Sequence, residues 1–181
     1  MVKQSRSRVN TNYLARLNYD SYLVHCTWME YALELAQTAV QLGEVPVAAV
    51  VIDEAGNLLA QAVNHKVREQ DPTAHAEILA IRTATKTIQS CYLQNCTLYV
   101  TLEPCPMCAG AIIHSRLNLL VYGASDPKTG AIRTVTNLPD SCCSNHRLQV
   151  LAGIKEESCI QQLQTWFAHQ RQQNNTLTPG R

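Results

Sequence analysis

The chain has 181 residues, of which 46% are hydrophobic and 16% charged, and its formal net charge is +1 at pH 7. These values are typical of one globular domain with a sizeable core and exclude an intrinsically disordered chain, and the balanced charge means that any nucleic-acid-binding surface must be local. The longest apolar stretch, Val47 to Ile52, is too short to span a bilayer, so we expect no membrane contact.

The first 20 residues differ from the rest of the chain in charge. They are polar and aperiodic, and they carry four basic side chains against the single acid Asp20. We predict that residues 1–20 form a flexible basic arm. The alternatives are an organelle transit peptide, which this composition faintly resembles, and an arm that contacts RNA phosphates.

The first predicted elements are a helix and a hairpin. Thr27 and Glu30 have the spacing of a capping box, and the apolar residues that follow have helical spacing as far as Gly43, where a glycine favours the end of a helix. A run rich in valine and alanine from Pro46 to Ile52 and a second apolar run from Leu58 to Asn64 flank a short polar turn. This arrangement is typical of two antiparallel strands.

The rest of the chain alternates between predicted helices and strands. In chain order these are a helix over Thr73–Lys86, a strand over Thr97–Thr101, a helix from Pro104 to Ser115, strands over Leu119–Gly123 and Leu148–Leu151, and a helix over Lys155–Gln170. We predict that residues 172–181 form a disordered tail. Alternating strands and helices after an opening hairpin indicate an α/β sandwich with a mixed sheet.

Two short motifs carry the chemistry. His75-Ala76-Glu77 and Cys105-Pro106-Met107-Cys108 together supply one imidazole and two thiolates, which are zinc ligands, and one carboxylate that is not needed as a ligand. Three protein ligands leave the fourth position of a tetrahedral zinc to water, and a catalytic zinc lowers the pKa of that water from about 15.7 to roughly 7. The carboxylate of Glu77 would then carry protons. The two motifs therefore predict a hydrolytic deaminase.

The spacing within each motif indicates where its residues lie. Cys105 and Cys108 are three residues apart, so both can project from one face of a helix, and the prolines at 104 and 106 suit its first turn. The positive end of the helix dipole also favours the thiolate forms. His75 and Glu77 are two residues apart and do not share a face inside a regular helix. We therefore expect both at the very start of a helix opened by Asp71-Pro72-Thr73.

A closed structural zinc site is the alternative interpretation of the same ligands. Its fourth ligand could come from Cys96, Cys142, Cys143 or His114. That interpretation leaves the pairing of a histidine with a glutamate two residues later without an explanation.

The chain has eight cysteines. Because it lacks an apolar leader segment, we expect thiols and metal ligands in a reducing, cytoplasmic setting instead of disulfides. The cysteines at 26, 91, 96 and 159 are predicted to be buried or inert. Adjacent Cys142 and Cys143 are predicted to be free thiols in a loop.

Longer stretches around the two motifs resemble the cytidine deaminase superfamily and, within it, the bacterial tRNA-specific adenosine deaminases. The similarity covers roughly Thr27 to Arg171 and is carried by Asp71–Glu77, Leu98–Arg116, Asp126–Gly130 and Asn145–Arg147. It implies a three-layer α/β/α sandwich with a mixed five-stranded sheet, a zinc deaminase domain over residues 21–171, and a homodimer. It also implies hydrolysis of adenosine to inosine at the wobble position of a tRNA anticodon.

The resemblance also assigns roles to individual residues. One zinc ion per subunit would be bound by His75, Cys105 and Cys108, and Glu77 would be the catalytic proton carrier. Asn64 matches a residue that hydrogen-bonds the flipped base.

Three further residues would contact the RNA backbone by this resemblance. Asp126 matches a residue near the ribose, where a carboxylate can accept a hydrogen bond from the 2′-hydroxyl, and Lys128 and Arg147 would contact phosphates of the anticodon stem-loop. Simpler alternatives exist for the substrate contacts. Asn64 could cap a turn, Asp126 could be a turn residue before Pro127, and both cations could be solvated.

Two positions depart from the family pattern. Ser125 stands where an arginine often precedes the aspartate, and Arg133 replaces a small residue, which puts the RNA-contacting surface in question. The zinc chemistry alone fits two other classes of protein, namely a deaminase of free guanine or cytosine or their nucleotides, and a non-catalytic zinc module that binds RNA. The intact Glu77 disfavours the non-catalytic module.

Overall fold

The computed structural model describes residues 19–176 of the chain. Most of the predicted arm, residues 1–18, and the end of the predicted tail, residues 177–181, lie outside the described residues. In chain order the elements are α1 (Tyr19–Gln41), β1 (Ala48–Ile52), β2 (Leu58–Val63), α2 (Ala76–Thr87), β3 (Thr97–Leu102), α3 (Pro106–His114), β4 (Leu119–Ala124), β5 (Gln149–Ala152) and α4 (Glu156–Thr176).

The five strands form one mixed sheet in the order β2-β1-β3-β4-β5. β1 pairs antiparallel with β2 and with β3, whereas β3 and β4 are parallel, as are β4 and β5. The predicted hairpin and mixed five-stranded sheet are therefore confirmed. With these pairings, β2, β3 and β4 all end at the same edge of the sheet, at Val63, Leu102 and Ala124, and we call this the C-terminal edge.

Helices cover both faces of the sheet. Side chains alternate between the two faces along each strand, so neighbouring strand residues are buried on opposite faces of the sheet. Val51 and Val100 pack with α2 and α3 on one face, and Val50 and Tyr99 pack with α1 and α4 on the other. The three-layer sandwich is thus confirmed. Within residues 19–176, no helix has the length and apolar character needed to cross a membrane.

The first and last helices are longer than the sequence predicts. α1 begins at Tyr19, and Thr27 lies in its interior, where its hydroxyl donates a hydrogen bond to the carbonyl of Leu23 (3.0 Å). The predicted helix start at Thr27 is therefore wrong, because a threonine hydroxyl can bond to the preceding turn as readily as it can cap a terminus. α4 continues to Thr176, so residues 172–176 of the predicted disordered tail are helical.

The second helix begins later than predicted. Oδ1 of Asp71 accepts hydrogen bonds from both N–H and Oγ1 of Thr73, each at 2.7 Å, which fixes a local turn in place of a first helical turn. α2 therefore starts at Ala76 and not at Thr73, and His75 is its N-cap residue. The shift places the predicted metal ligand at the helix boundary itself.

All eight cysteines are free. Three of the four cysteines predicted to be buried or inert are buried, whereas Cys91 is exposed, and both residues of the Cys142–Cys143 pair are exposed in a loop as expected. Burial raises the pKa of Cys159 to about 12. Its Sγ fills the space beside Gly123, where an added Cβ would lie 2.2 Å from the sulfur. Cys159 is thus an inert packing group.

Candidate active site

The three predicted metal ligands lie at the starts of two helices. His75 is the N-cap of α2 and Cys105 is the N-cap of α3, and Cys108 lies one turn into α3. The imidazole of His75 makes no capping hydrogen bond to α2, so it is available to face the two thiols of α3. Pro106 begins α3, where a residue without an N–H leaves no hydrogen bond unmade.

The spacing of these side chains fits a tetrahedral zinc ion. Nδ1 of His75 lies 3.7 Å from Sγ of Cys105 and 3.6 Å from Sγ of Cys108, and all three ligand atoms lie within 4.8 Å of one another. Zinc bonds of about 2.3 Å to sulfur and about 2.0 Å to nitrogen, at tetrahedral angles, would separate neighbouring ligand atoms by roughly 3.5–3.8 Å. One nitrogen and two sulfurs are also a donor set that zinc prefers.

The cluster has three protein ligands and not four. Among residues 19–176, it is the one group of histidine, cysteine and acidic side chains spaced to hold a metal ion. None of Cys96, Cys142, Cys143 and His114, the candidate fourth ligands of a structural site, belongs to it. A closed zinc site is therefore disfavoured, and three ligands leave one tetrahedral position for water.

Glu77 faces this cluster from the first turn of α2. Its side chain is only 4% exposed. Burial raises the pKa of Glu77, and the neighbouring Cys105 raises it further, while a hydrogen bond with Cys108 and the nearby imidazole of His75 act in the opposite direction. The expected position of both His75 and Glu77 at a helix start, turned inward, is the one observed.

The protein groups around the two thiols of Cys105 and Cys108 shift their pKa values in opposite directions. Hydrogen bonding from Cys108 lowers the pKa of Cys105 to about 4, and a hydrogen bond from His75 contributes although burial opposes it. The bond to Cys105 and burial raise the pKa of Cys108. Zinc binding would require the loss of both thiol protons, because both thiols bind zinc as thiolates.

Asn64 emerges at the C-terminal edge, directly after β2. It is 8% exposed, and its Nδ2 donates a hydrogen bond to Oε2 of Glu44 (3.1 Å). Oε1 of Glu44, which is fully buried, accepts the N–H groups of Val67 (2.7 Å) and Arg68 (2.8 Å). Glu44 therefore fixes the orientation of the Asn64 amide and the loop after it, which leads to the metal ligand of α2.

Asp126 emerges at the same edge, after β4. Its Oδ1 accepts the N–H of Lys128 (2.8 Å) and its Oδ2 accepts the hydroxyl of Thr129 (2.7 Å), so the carboxylate shapes a turn. Burial would raise the pKa of Asp126, but these hydrogen bonds, led by the one from Thr129, hold it below its ordinary value. The side chain is half-buried, and that of Lys128 is exposed. The turn role of Asp126 is thus present, and its substrate contact stays a prediction.

Arg147 lies at the edge of the sheet opposite to the C-terminal edge. It lies two residues before Gln149, which pairs with Leu119 at the start of β4. The neighbouring His146 contacts the carbonyl of Leu117 (2.6 Å), just before that strand. The Arg147 side chain is exposed there, away from Asn64 and Asp126. Strand order thus places the loop of Arg147 at the other end of the sheet, so a phosphate contact of Arg147 would lie away from Asn64 and Asp126, and that contact stays a prediction.

Comparison with known proteins identifies the family. The profile of the MafB19-like deaminases matches residues 24–167 of the chain. The chain belongs to this family. One relative of this deaminase, the tRNA-specific adenosine deaminase of Haemophilus influenzae, is 52% identical over 145 residues, which are 80% of this chain and 84% of that protein. This relative confirms the resemblance found in the sequence.

Solved structures give the same fold for this deaminase. One, from biochemical and structural studies of A-to-I editing by tRNA deaminases at the wobble position, has a TM-score of 0.72 and 39% identity over 75% of this chain and 97% of that chain. Another, the guanine deaminase of Nitrosomonas europaea, has a TM-score of 0.66 and 29% identity over 77% of this chain and 82% of that chain. The cytidine deaminase-like fold is confirmed.

Two buried carboxylates of this deaminase are missing from the residues predicted by sequence. Glu44 and Glu103 are 0% and 2% exposed, and each accepts several hydrogen bonds from a loop next to the metal ligands. Neither belongs to a periodic pattern. The one local signal is a charged residue next to an apolar run, at Gly43-Glu44-Val45 a few residues before β1 and at Leu102-Glu103-Pro104 directly after β3.

Proposed function

We propose that the protein is a zinc-dependent tRNA adenosine deaminase that converts adenosine to inosine at the wobble position of an anticodon. The observation that carries the proposal is the three-ligand cluster of His75, Cys105 and Cys108 with the buried carboxyl of Glu77 facing it. A zinc ion held by these ligands would polarise a water molecule and so supply the nucleophile for hydrolysis.

Glu77 moves the protons in this proposal. It accepts a proton from the attacking water and delivers it to the purine ring nitrogen, so that the attacked ring does not carry an uncompensated negative charge. A second proton, from the hydroxyl that the attack leaves on carbon 6, passes through Glu77 to the amino group, which leaves carbon 6 as ammonia while the carbonyl forms. Adenosine and water thus become inosine and ammonia. Burial raises the pKa of Glu77, so its carboxyl can hold a proton between the two transfers.

The substrate assignment is supported by the relatives and by the residues at the C-terminal edge. The relative with 52% identity is named as tRNA-specific, and Asn64 and Asp126 of this chain lie at the C-terminal edge, where the loops after them bond to Ala74 and Pro104, the residues before two metal ligands. Asn64 would hydrogen-bond the flipped base, Asp126 would accept from the ribose 2′-hydroxyl, and Lys128 would contact a phosphate. We further propose one zinc ion per subunit, a homodimer, an ordered domain that includes residues 21–171, and a cytoplasmic location.

Deamination of free guanine is the second candidate function. It is favoured by the structural similarity to a guanine deaminase, although the identity to that protein is 29%, compared with 52% for the tRNA-specific relative. The metal cluster and its facing carboxylate would serve both reactions, so the choice rests on the substrate.

One experiment separates the two functions. Purified zinc-loaded protein is incubated with an anticodon stem-loop RNA that has adenosine at the wobble position, and in parallel with free guanine and free cytosine. We expect inosine in the RNA and no ammonia from either base. Ammonia from guanine together with unmodified RNA would select the second candidate.

Substitution of the proton carrier tests the mechanism. Glu77→Gln should keep about one zinc per chain and lose activity by at least about 10³-fold, since general acid–base catalysis contributes 10²–10⁴-fold per group. Activity near the wild-type level would remove Glu77 from the mechanism.

A further inference from the structure

Glu103 is a buried carboxylate that the proposed reaction does not use. It directly follows β3 and precedes Pro104-Cys105, and it is 2% exposed. Its backbone N–H donates a hydrogen bond to the carbonyl of Ala124 (2.8 Å), which continues the pairing of β3 with β4. The position of its carboxylate is therefore set by the end of the sheet.

The carboxylate of Glu103 gathers the loop over residues 126–134. Oε1 accepts three consecutive backbone N–H groups, those of Ile132 (3.1 Å), Arg133 (2.8 Å) and Thr134 (3.0 Å). Oε2 accepts the N–H of Asp126 (3.1 Å) and the hydroxyl of Thr134. Converging backbone N–H groups bind an anion, so the loop closes around this charge from both of its ends.

The loop is also packed tightly against the residues that precede the metal ligand. An added Cβ at Gly130 would lie 2.4 Å from Oε2 of Glu103 and 2.6 Å from the carbonyl oxygen of Asp126, so a side chain does not fit there. The N–H of Ala131 donates to the carbonyl of Pro104 (2.9 Å), next to Cys105. A shift of this loop would therefore change its distance from the zinc ligands.

Arg133 holds the far side of the same loop. Its Nη2 donates a hydrogen bond to the carbonyl of Val150 in β5 (3.0 Å). The side chain of this residue, which departs from the family pattern, therefore lies against the edge strand. It extends the attachment of the loop to the sheet.

We propose that Glu103 is a positioning residue for substrate binding, which fixes Asp126 and Lys128 at a set distance from the ligand Cys105. The proposal rests on the proposed function, because it concerns how that site holds its RNA. Glu103 acts through the loop and does not touch the reacting atoms.

Substitution of one carboxylate oxygen tests the proposal. In Glu103→Gln an NH₂ group replaces one acceptor, so one of the two groups of loop donors loses its partner. Loss of a hydrogen bond to a charged group shifts the equilibrium that it supports by at least about tenfold. We therefore expect KM for the anticodon stem-loop to rise at least about tenfold, with kcat within about threefold of wild type. Hydrogen exchange of the amides at 132–134 should become at least about tenfold faster.

A matched pair at Thr134 tests the same contact without a change of charge. Thr134→Val removes the hydroxyl that donates to Glu103, whereas Thr134→Ser keeps it. The valine variant should raise KM and speed the exchange of the loop amides, and the serine variant should restore both. Thr38→Val removes a hydroxyl that bonds within α1, so it serves as the control for loss of a threonine hydroxyl.

The outcomes separate this proposal from the proposed function. Unchanged exchange of the loop amides in Glu103→Gln, or a serine variant as impaired as the valine variant, would overturn the positioning role. If Glu103→Gln does not fold, the Thr134 pair decides alone. Wild-type protein that makes no inosine would refute the proposed function, and the exchange experiment would still report whether Glu103 holds the loop.

Discussion

Loss of Glu44 should uncouple Asn64 from the rest of the site. Its fully buried carboxylate accepts Nδ2 of Asn64 (3.1 Å) and the N–H groups of Val67 (2.7 Å) and Arg68 (2.8 Å). Glu44→Ala leaves these three donors without an acceptor. Bonds to a charged group are worth about 1.5–3 kcal/mol each, but the exposed residues Val67 and Arg68 can turn their N–H groups to water. We expect the free energy of unfolding to fall by about 3–4 kcal/mol and Tm by about 10 °C.

Glu44→Gln is the more informative substitution. The oxygen that remains serves the N–H groups of Val67 and Arg68, so the NH₂ group faces Nδ2 of Asn64, and the two amides can pair only if the Asn64 amide turns over. The hydrogen bond is then kept, and we expect a stability loss of only about 1 kcal/mol. The turned amide presents a donor where it formerly presented its oxygen. We expect kcat/KM on the stem-loop RNA to fall at least about tenfold. The small loss of stability would not account for a fall of this size in activity.

The assays are urea unfolding followed by fluorescence and initial rates of inosine formation. Glu34→Gln, an exposed position on α1, is the matched control and should change the free energy of unfolding by less than about 0.5 kcal/mol. The reasoning is refuted if Glu44→Gln unfolds and reacts like the control, because Glu44 would then hold neither the amide nor the loop.

Three further outcomes are expected. Gly123→Ala should destabilise the protein by about 2–4 kcal/mol in urea unfolding, because its Cβ would meet the sulfur of Cys159, and Cys159→Ala in the same chain should recover part of that loss. Burial holds the pKa of His25 below its ordinary value of 6.5, so the unfolded chain binds this proton more readily. Stability contributed by neutral His25 should therefore be constant above about pH 7 and fall as pH drops through 6.5, and His25→Gln should flatten the urea midpoints over that range. Lys128→Ala should raise KM for the stem-loop several-fold, whereas Arg147→Ala, at the opposite edge of the sheet, should change it less than twofold; equal effects would contradict this placement.

The metal ligands could be predicted from the sequence because their geometry is local. Cys105 and Cys108 lie within one turn of α3, and His75 and Glu77 lie at the start of α2, so each motif could be recognised alone, whereas the contact between the two motifs spans 30 residues. Arg147 could not be placed in this way. The edge of the sheet at which its loop emerges depends on the pairing of β4 with β5, which no short segment encodes. The predicted helix starts at Thr27 and Thr73 were wrong for a related reason. A threonine hydroxyl can donate a hydrogen bond inside a helix or in a tight turn as well as at a helix start.

The two buried glutamates were missed because their partners are distant in sequence. Glu44 accepts from residues 20 to 24 positions away, and Glu103 from residues 23 to 31 positions away. From the sequence alone, a charged residue near an apolar strand is predicted to be exposed to solvent. Only the structure shows the loop that covers it. The sequence therefore indicates the groups that carry the chemistry more readily than the groups that hold them.

The electrostatics of the site follow from where α2 and α3 begin. His75 and Cys105 are their N-cap residues, so the positive ends of two helix dipoles meet at one cluster and favour negative charge there. That field suits thiolate ligands and an attacked purine ring that gains electron density. Glu77 lies in the same field, yet its pKa is raised, because its burial outweighs these interactions. Hydrolytic deamination needs both properties at once: stabilised anions around the metal and one carboxyl that can still accept and release a proton.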